Sequence, residues 1–517
     1  MPEIKYPEET ERWDVFEISF ADLTDADYSC INPFTDHSLE GVFKHKNETV
    51  KTRGFYDGNG IYKIRFMPSF TGGYAFDVTC NFYDKIISGN FTVSEAAEQN
   101  HGPVRAANTF HFAYEDGKPY YPVGTTCYVW ELQNEELQKK TLKTLSESPF
   151  NKIRFCIFPK HFFYNMNEPC SYPYEGKPMD NSILTKENLM RYMDAGKEEG
   201  NDWNFSRFNP GHFQHIDKCI AALRDLGIEA DLIIMHPYDR WGFSRMTAEE
   251  DDLYLNYVTA RYAAFRNIWW SLANEYDLMP QKKISDWERY ASIICKNDPY
   301  NHLRSIHNCS PFYDYTRPWI THCCIQRQDI YKCAELTAEY RKRYGKPIVL
   351  DEILYEGNIQ IGWGNISGQE MVRRFWEAAC RGGYGGHGET YLHEKDILWW
   401  SHGGELHGSS PARLAFLRRI LEETPGHGLA PIEGRFDEVA AGVEELFDRT
   451  GYYIYYYSFM RPSFRDFRFD ENTMYQAEVI DTWEMTIEDK GIYKGSFRIN
   501  LPGKEYMAIR IRKAPAR

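Results

Sequence analysis

The sequence predicts an α/β fold: a (β/α)8 barrel of the TIM type flanked by an N-terminal and a C-terminal β-sandwich module. Three observations carry the prediction. From about Tyr120 onward, eight apolar runs alternate with amphipathic stretches over roughly 280 residues, the usual size of such a barrel. Those runs are almost continuously apolar, as strands buried on both faces of a sheet must be. On either side, short alternating segments recur between turn residues, the pattern of antiparallel sandwiches.

The N-terminal module is predicted over 1–100. Its strands are WDVFEISF, LEGVFKH, IYKIRFMPS, YAFDVTCNF and SGNFTVSEA, with turn signals at Asp57-Gly58-Asn59-Gly60 and Gly72-Gly73. The stretch EAAEQNHGPVRAANT connects it to the barrel, predicted over 101–428. In order, the barrel strands are YYPVGTTCYVW, NKIRFCIFP, IEADLIIMHP, NIWWSLANE, HLRSIHNC, WITHCCIQ, KPIVLDE and the GGYGGHGETY region. Helices are expected between them, among them PGHFQHIDKCIAALRDLG, with Phe213, Ile216, Ile220 and Leu223 near helical spacing. The C-terminal module, 429–517, carries YYIYYYSF, FRDFRF, YQAEVIDTW, YKGSFRINL and EYMAIRIRK. A doubly wound sheet would need a nucleotide-binding fingerprint, and neither G-x-G-x-x-G after a strand nor G-x-x-x-x-G-K-S/T is present.

Composition narrows the partners. The formal net charge of −15 argues against nucleic acid and against an anionic membrane surface. No segment approaches the ~18 uninterrupted apolar residues of a membrane span. Aromatic residues reach 16%, enough to fill large cores and to line a groove with rings that stack on sugars. The twelve cysteines are scattered without a C-x-x-C pair, which reads as reduced, buried thiols. With a polar, acidic start lacking a signal-peptide core, this favours the cytoplasm. A homo-oligomer is left open.

Function in such a barrel collects at the C-terminal ends of the strands. Strand four ends in Asn274-Glu275 and strand seven in Asp351-Glu352. Opposed carboxylates from two strands are the equipment of glycoside hydrolysis: one protonates the leaving oxygen, the other attacks the sugar or activates water. Glu275 is assigned as acid/base and Glu352 as nucleophile. The plain structural alternative for Glu275 is a helix N-cap or a salt bridge. Arg154, inside an otherwise apolar strand two, must be paired, and a barrel carboxylate is its natural partner. Asn274 is placed to bond a substrate hydroxyl. His236, Tyr238, His307, Gln326, His387 and Glu389 follow other strand ends and are candidate sugar contacts, with Glu389 the main rival carboxylate. Trp130 and Trp400 are candidate stacking platforms, core packing being the alternative. Glu356 competes with Glu352, and Asp351 should alternate with Glu352 across the strand.

Together, Asn151 to Arg154, Asn274-Glu275 and Glu352 resemble the clan A glycoside hydrolases. A closer resemblance runs over nearly the whole chain, to three-module bacterial glycosidases with an N-terminal sandwich, an apiosidase-like barrel and a C-terminal sandwich. It is carried by Phe55-Tyr56-Asp57-Gly58, WWSLANEYDLM, SRFNPGHFQHID, HGETY and WWSHGGELHG. The resemblance implies a retaining glycosidase, acting on a β-linked plant-type or gut oligosaccharide or glycoside, with no cofactor and no metal. Two departures stand out. The G-D-T-A-W of apiosidase-like strand one is here Gly124-Thr125-Thr126-Cys127-Tyr128. The strand-six H-x-Y is absent, since His322 is followed by Cys323 and Cys324, so Tyr238, His307 or Arg154 must serve the nucleophile instead.

Two other classes compete. One is a non-catalytic carbohydrate-binding or scaffolding barrel, which loss of hydrolysis in Glu275→Gln and Glu352→Gln with folding kept would exclude; unchanged activity in both would rule out the assignment of these two residues. The other is a metal-dependent hydrolase built on His236, His307, His322 and His387. Strand one lacks H-x-H and strand six lacks a lysine for a bridging carboxylate, which counts against it.

Overall fold

The apolar runs become the eight parallel strands of a barrel. These are β1 (Gly124–Thr126), β2 (Lys152–Cys156), β3 (Glu229–Met235), β4 (Ile268–Ala273), β5 (Leu303–Ser305), β6 (Cys323–Gln326), β7 (Ile348–Glu352) and β8 (Tyr384–His387). The computed structural model describes residues 3–21, 31–327, 329–435, 438–443 and 451–514. The strands pair in the order β5-β4-β3-β2-β1-β8-β7-β6. A parallel bridge between His307 and Cys324 joins the two remaining edges, so the barrel is nearly closed. Every residue of β2, β3, β4 and β7 is buried, which explains why these strands do not alternate.

Helices cover the outside: α1 (Glu135–Ser146), α2 (Pro210–Asp225), α3 (Ala248–Tyr262), α4 (Ile284–Asn297), α5 (Thr337–Tyr344), α6 (Gly368–Cys380), α7 (Trp399–His402) and α8 (Ser410–Glu422). Their starts are set locally. Asn134 accepts from the Leu137 amide, Thr247 and Glu250 form a reciprocal box, and Ser367 accepts from the Glu370 amide. No helix separates β5 from β6, contrary to the expectation of one in every gap. Pro311 and Pro318 interrupt that short segment, and proline cannot supply helix-interior amides.

The flanking modules are sheets. The N-terminal one pairs a four-stranded with a five-stranded sheet. Phenylalanines from both fill the space between them: the Phe16 and Phe91 rings stack at 3.7 Å, and Phe43 and Phe66 at 4.3 Å. Buried ion pairs fasten it to the barrel. Arg65 lies 2.8 Å from Asp217, and Arg261 lies 2.7 Å from Asp57. The segments Val104–Ala107, His111–Tyr114 and Pro119–Tyr120 form a small sheet beneath the barrel. Its Phe112 ring meets Trp269, His322 and Tyr384 near the starts of β4, β6 and β8. The C-terminal module is built on a six-stranded sheet, and Tyr456 stacks on Trp376 of α6. Among the described residues, no helix is long and apolar enough to cross a membrane.

Candidate active site

Glu275 directly follows β4, where the chain leaves the barrel. Its φ of 52° lies in the left-handed region that residues with a Cβ seldom adopt. Such backbone persists where its surroundings hold it, and functional sites are where it gathers. Glu352 is the last residue of β7. Both carboxyl groups are buried, and both line one cavity of about 360 Å³ together with Tyr128, Lys160, Tyr238 and Trp400.

The two carboxyl groups sit in opposite environments. Around Glu352, the Tyr128 hydroxyl donates at 2.5 Å, His307 Nε2 lies at 3.3 Å and Arg154 Nη1 at 3.4 Å. Burial alone would raise its pKa, but His307, Arg154 and Tyr128 overcome that and hold it well below the usual carboxylate range. Glu275 receives the Tyr238 hydroxyl and, at 3.2 Å, the Asn274 side-chain amide. The Gln326 amide, turned with its nitrogen toward the site, donates to Glu275 Oε1 at 3.0 Å. Burial and the charge of Glu352 outweigh these donors and push the Glu275 pKa up.

Asn274 couples the two. Its oxygen accepts from Arg154 at 3.0 Å, and this fixes its nitrogen toward Glu275, while the Tyr128 oxygen, its proton on Glu352, lies 3.3 Å away. Beneath, Lys152 Nζ lies 2.7 Å from both Asp231 and Asp351, and Cys324 Sγ donates to Asp351 at 2.9 Å. Asp351 and Glu352 therefore both approach the Lys152 and Arg154 side, where strict alternation would separate them. The ladder between β6 and β7 is irregular at this level.

The sequence-derived candidates divide into three sets. Glu275, Glu352, Tyr238, Gln326 and Trp400 line the cavity. Arg154, Asn274 and His307 stand behind it and touch the carboxyl groups. Trp130, His236, His387 and Glu389 do not reach it. Trp130 is fully buried with its ring edge-on to Phe155, so it packs in the hydrophobic core instead of offering a face. His236 is buried against the Phe158 carbonyl at 3.2 Å. His387 bonds Thr125 at 3.0 Å. Glu389 accepts from the backbone amides of His407 and Gly408, while Glu356 accepts from those of Ser409 and Ser410. These two carboxylates hold the chain entering α8, a cap built from distant residues. Glu356, His387 and Glu389 form the one grouping of three metal-capable side chains among the described residues, and it lies outside the cavity. His236, His307 and His322 do not join it.

Three contributors escaped the sequence reading: Tyr128, Lys160 and Tyr355, all lining the cavity. The missing strand-six tyrosine was the one available signal for Tyr128. The hydroxyl donor to Glu352 comes from just beyond strand one, alongside His307 and Arg154, whereas Tyr238 serves Glu275. Tyr128→Phe is expected to raise the Glu352 pKa and to shift the acidic limb of kcat/KM upward. The expected loss in kcat is about 10- to 100-fold, the worth of one hydrogen bond to a charge. A pH profile in which that limb stays put would contradict this role.

A nearly closed parallel barrel that delivers two oppositely biased carboxyl groups to one cavity defines a glycosidase. The residues 106–425 match the apiosidase-like catalytic domain. The chain belongs to that family, and it is a glycoside hydrolase. Domains of unknown function match the flanking modules, DUF5060 over residues 9–81 and DUF5605 over 437–512. A crystal structure of a glycoside hydrolase candidate from Bacteroides vulgatus is 36% identical, with a TM-score of 0.88, over 98% of this chain and 100% of that one. A family 5 glycoside hydrolase from the same organism shares the fold at 14% identity and a TM-score of 0.59, over 81% of this chain and 94% of its own. No curated protein matches the chain.

Proposed function

We propose that the protein is a retaining glycosidase acting on a β-linked glycoside by double displacement. The observation that carries this reading is the split between the two carboxyl groups in one buried cavity. Glu352, kept ionised by Arg154, His307 and Tyr128, attacks the anomeric carbon. Glu275, whose pKa is raised by burial and by the charge of Glu352, gives its proton to the leaving oxygen. The glycosyl–Glu352 ester is then cleaved by water, which passes a proton to Glu275 and restores both groups. Burial of the pair in a cavity of about 360 Å³ suits a short oligosaccharide or a small glycoside better than a long polymer.

The pH dependence follows from the signs. Activity falls on the acid side as Glu352 takes a proton, and that limb lies low because its pKa is depressed. On the alkaline side it falls as Glu275 loses its proton, and that limb lies high because its pKa is raised. The expected profile is a broad plateau, not a narrow bell. The reading is tested by hydrolysing a panel of aryl glycosides and following the first-formed anomer by NMR. The anomer of the substrate is expected. The opposite anomer would replace the nucleophile role of Glu352 with that of a base.

A further inference from the structure

Lys160 follows β2 and is 4% exposed, yet its ammonium has no carboxylate within 4.0 Å among the described residues. It sits instead among three rings. Nζ lies 3.3 Å from the ring centre of Tyr128, 4.2 Å from that of Tyr238 and 4.8 Å from that of Trp400. Contact with aromatic faces offsets part of the cost of removing a cation from water, but a buried ammonium still lacks an acceptor. The neighbouring cations are already engaged. Lys152 holds Asp231 and Asp351, Arg154 holds Glu352, and Arg327 at the cavity wall holds Asp329.

The position matters as much as the charge. Tyr128 donates to Glu352 and Tyr238 donates to Glu275, so Lys160 touches the two residues that serve the two carboxyl groups. It therefore faces the sugar whose bond breaks. In glycoside hydrolysis that sugar acquires oxocarbenium character, a developing positive charge. An unpaired ammonium beside it opposes the reaction unless the substrate brings an anion to the same place.

We infer that the enzyme acts on glycosides of uronic acids, with the carboxylate of the sugar at the reacting centre held by Lys160 inside the Tyr128, Tyr238 and Trp400 cage. This rests on the glycosidase reading above. The carboxylate accepts from Nζ, cancels the charge near the anomeric carbon, and replaces the water that a neutral hydroxymethyl sugar would leave on the ammonium. Lys160 is then a specificity-determining residue. Burial, against the opposing pull of Cys156, Glu275 and Glu352, lowers its pKa to about 8, with Arg154 acting in the same sense as burial. Tyr128 and Tyr238 add their rings from the segments just beyond β1 and β3. The preference should accordingly weaken as pH rises past that value.

Matched 4-nitrophenyl substrates test this: β-glucuronide against β-glucoside, and β-galacturonide against β-galactoside. In each pair the wild-type enzyme is expected to favour the uronide in kcat/KM by about tenfold or more. That ratio should decline above pH 8 and collapse toward one in Lys160→Met. The wild-type ratio and its pH trend stand even if the variant folds poorly. Neutral glycosides cleaved as well as their uronides would overturn the inference and leave the glycosidase reading in place. A preference seen only when the carboxylate is on the leaving group would overturn its placement on the reacting sugar. Cleavage of none of the four would count against the β-linked, retaining reading proposed above.

Discussion

Glu352→Gln should abolish turnover of every glycoside, by at least about 10⁴-fold, because in the proposed double displacement Glu352 forms the covalent intermediate and Glu275, the other carboxylate lining the cavity, is the acid. Glu275→Gln should behave differently. With a poor leaving group such as an alkyl alcohol, the loss should be about 10²- to 10⁴-fold, the range of general acid catalysis. With a dinitrophenyl leaving group the first step needs no proton, so the covalent ester should form and accumulate as a burst. Added azide, which attacks without a base, should then restore turnover and yield a glycosyl azide of the substrate's configuration. Near-ultraviolet circular dichroism of both variants should match the wild type, since glutamine keeps the shape and its oxygen can still accept from the Tyr238 and Asn274 neighbours of Glu275 or the Tyr128 and Arg154 neighbours of Glu352. Equal losses on both leaving groups for Glu275→Gln would remove it from the acid role. Unaltered hydrolysis in both variants would leave the pair without a catalytic part.

Lys152→Met should produce the largest loss of stability. Lys152 is 1% exposed and lies between Asp231 and Asp351, both themselves buried. Removing one partner of a buried ion pair strands the other, at a cost of about 3–5 kcal/mol. Here two carboxylates are stranded, with Arg154 the nearest remaining cation at 3.8 Å from Asp231. Burial would raise the Asp351 pKa, but Lys152 and Arg154 hold it far below its ordinary value. A carboxylate so depressed contributes stability above its unfolded-state pKa, about 3.9, and the contribution fades as pH falls through its folded value. The gap between variant and wild type should therefore be widest near pH 7 and narrow on acidification. A chain of three modules does not unfold in one step, so the half-life of activity and the tryptophan-fluorescence transition of the barrel are the quantities to measure. A gap that widens on acidification would contradict the assigned ion-pair set.

The barrel was legible because its strands obey a rule of the local sequence: a strand buried on both faces must be apolar throughout, and β2, β3, β4 and β7 are. The same rule made exceptions visible. Arg154, Glu275 and Glu352 interrupt or end such runs, and buried charge in an apolar strand demands a partner elsewhere. The helix that strict alternation predicts between β5 and β6 is absent, and Pro311 and Pro318 interrupt that short segment.

What remained illegible was the company each side chain keeps. His387 and Glu389 end a strand as Glu352 does, yet they turn toward Thr125 and the approach to α8. Trp130 and Trp400 look alike in sequence, and only Trp400 meets the cavity. Tyr128 and Lys160 carried no local signal, since a tyrosine and a lysine beyond apolar strands read as rim residues.

The sequence by itself therefore determined the barrel, the positions of the two carboxyl groups and the need to pair Arg154. All three follow from periodicity and from the cost of burying charge. Only the tertiary structure decided which hydroxyl serves which carboxyl, how Asn274 bridges them and where Lys160 lodges. Those outcomes depend on distances between residues more than a hundred positions apart, such as Tyr128 and Glu352, and the pKa of a buried group is set by whatever lies within a few ångströms of it.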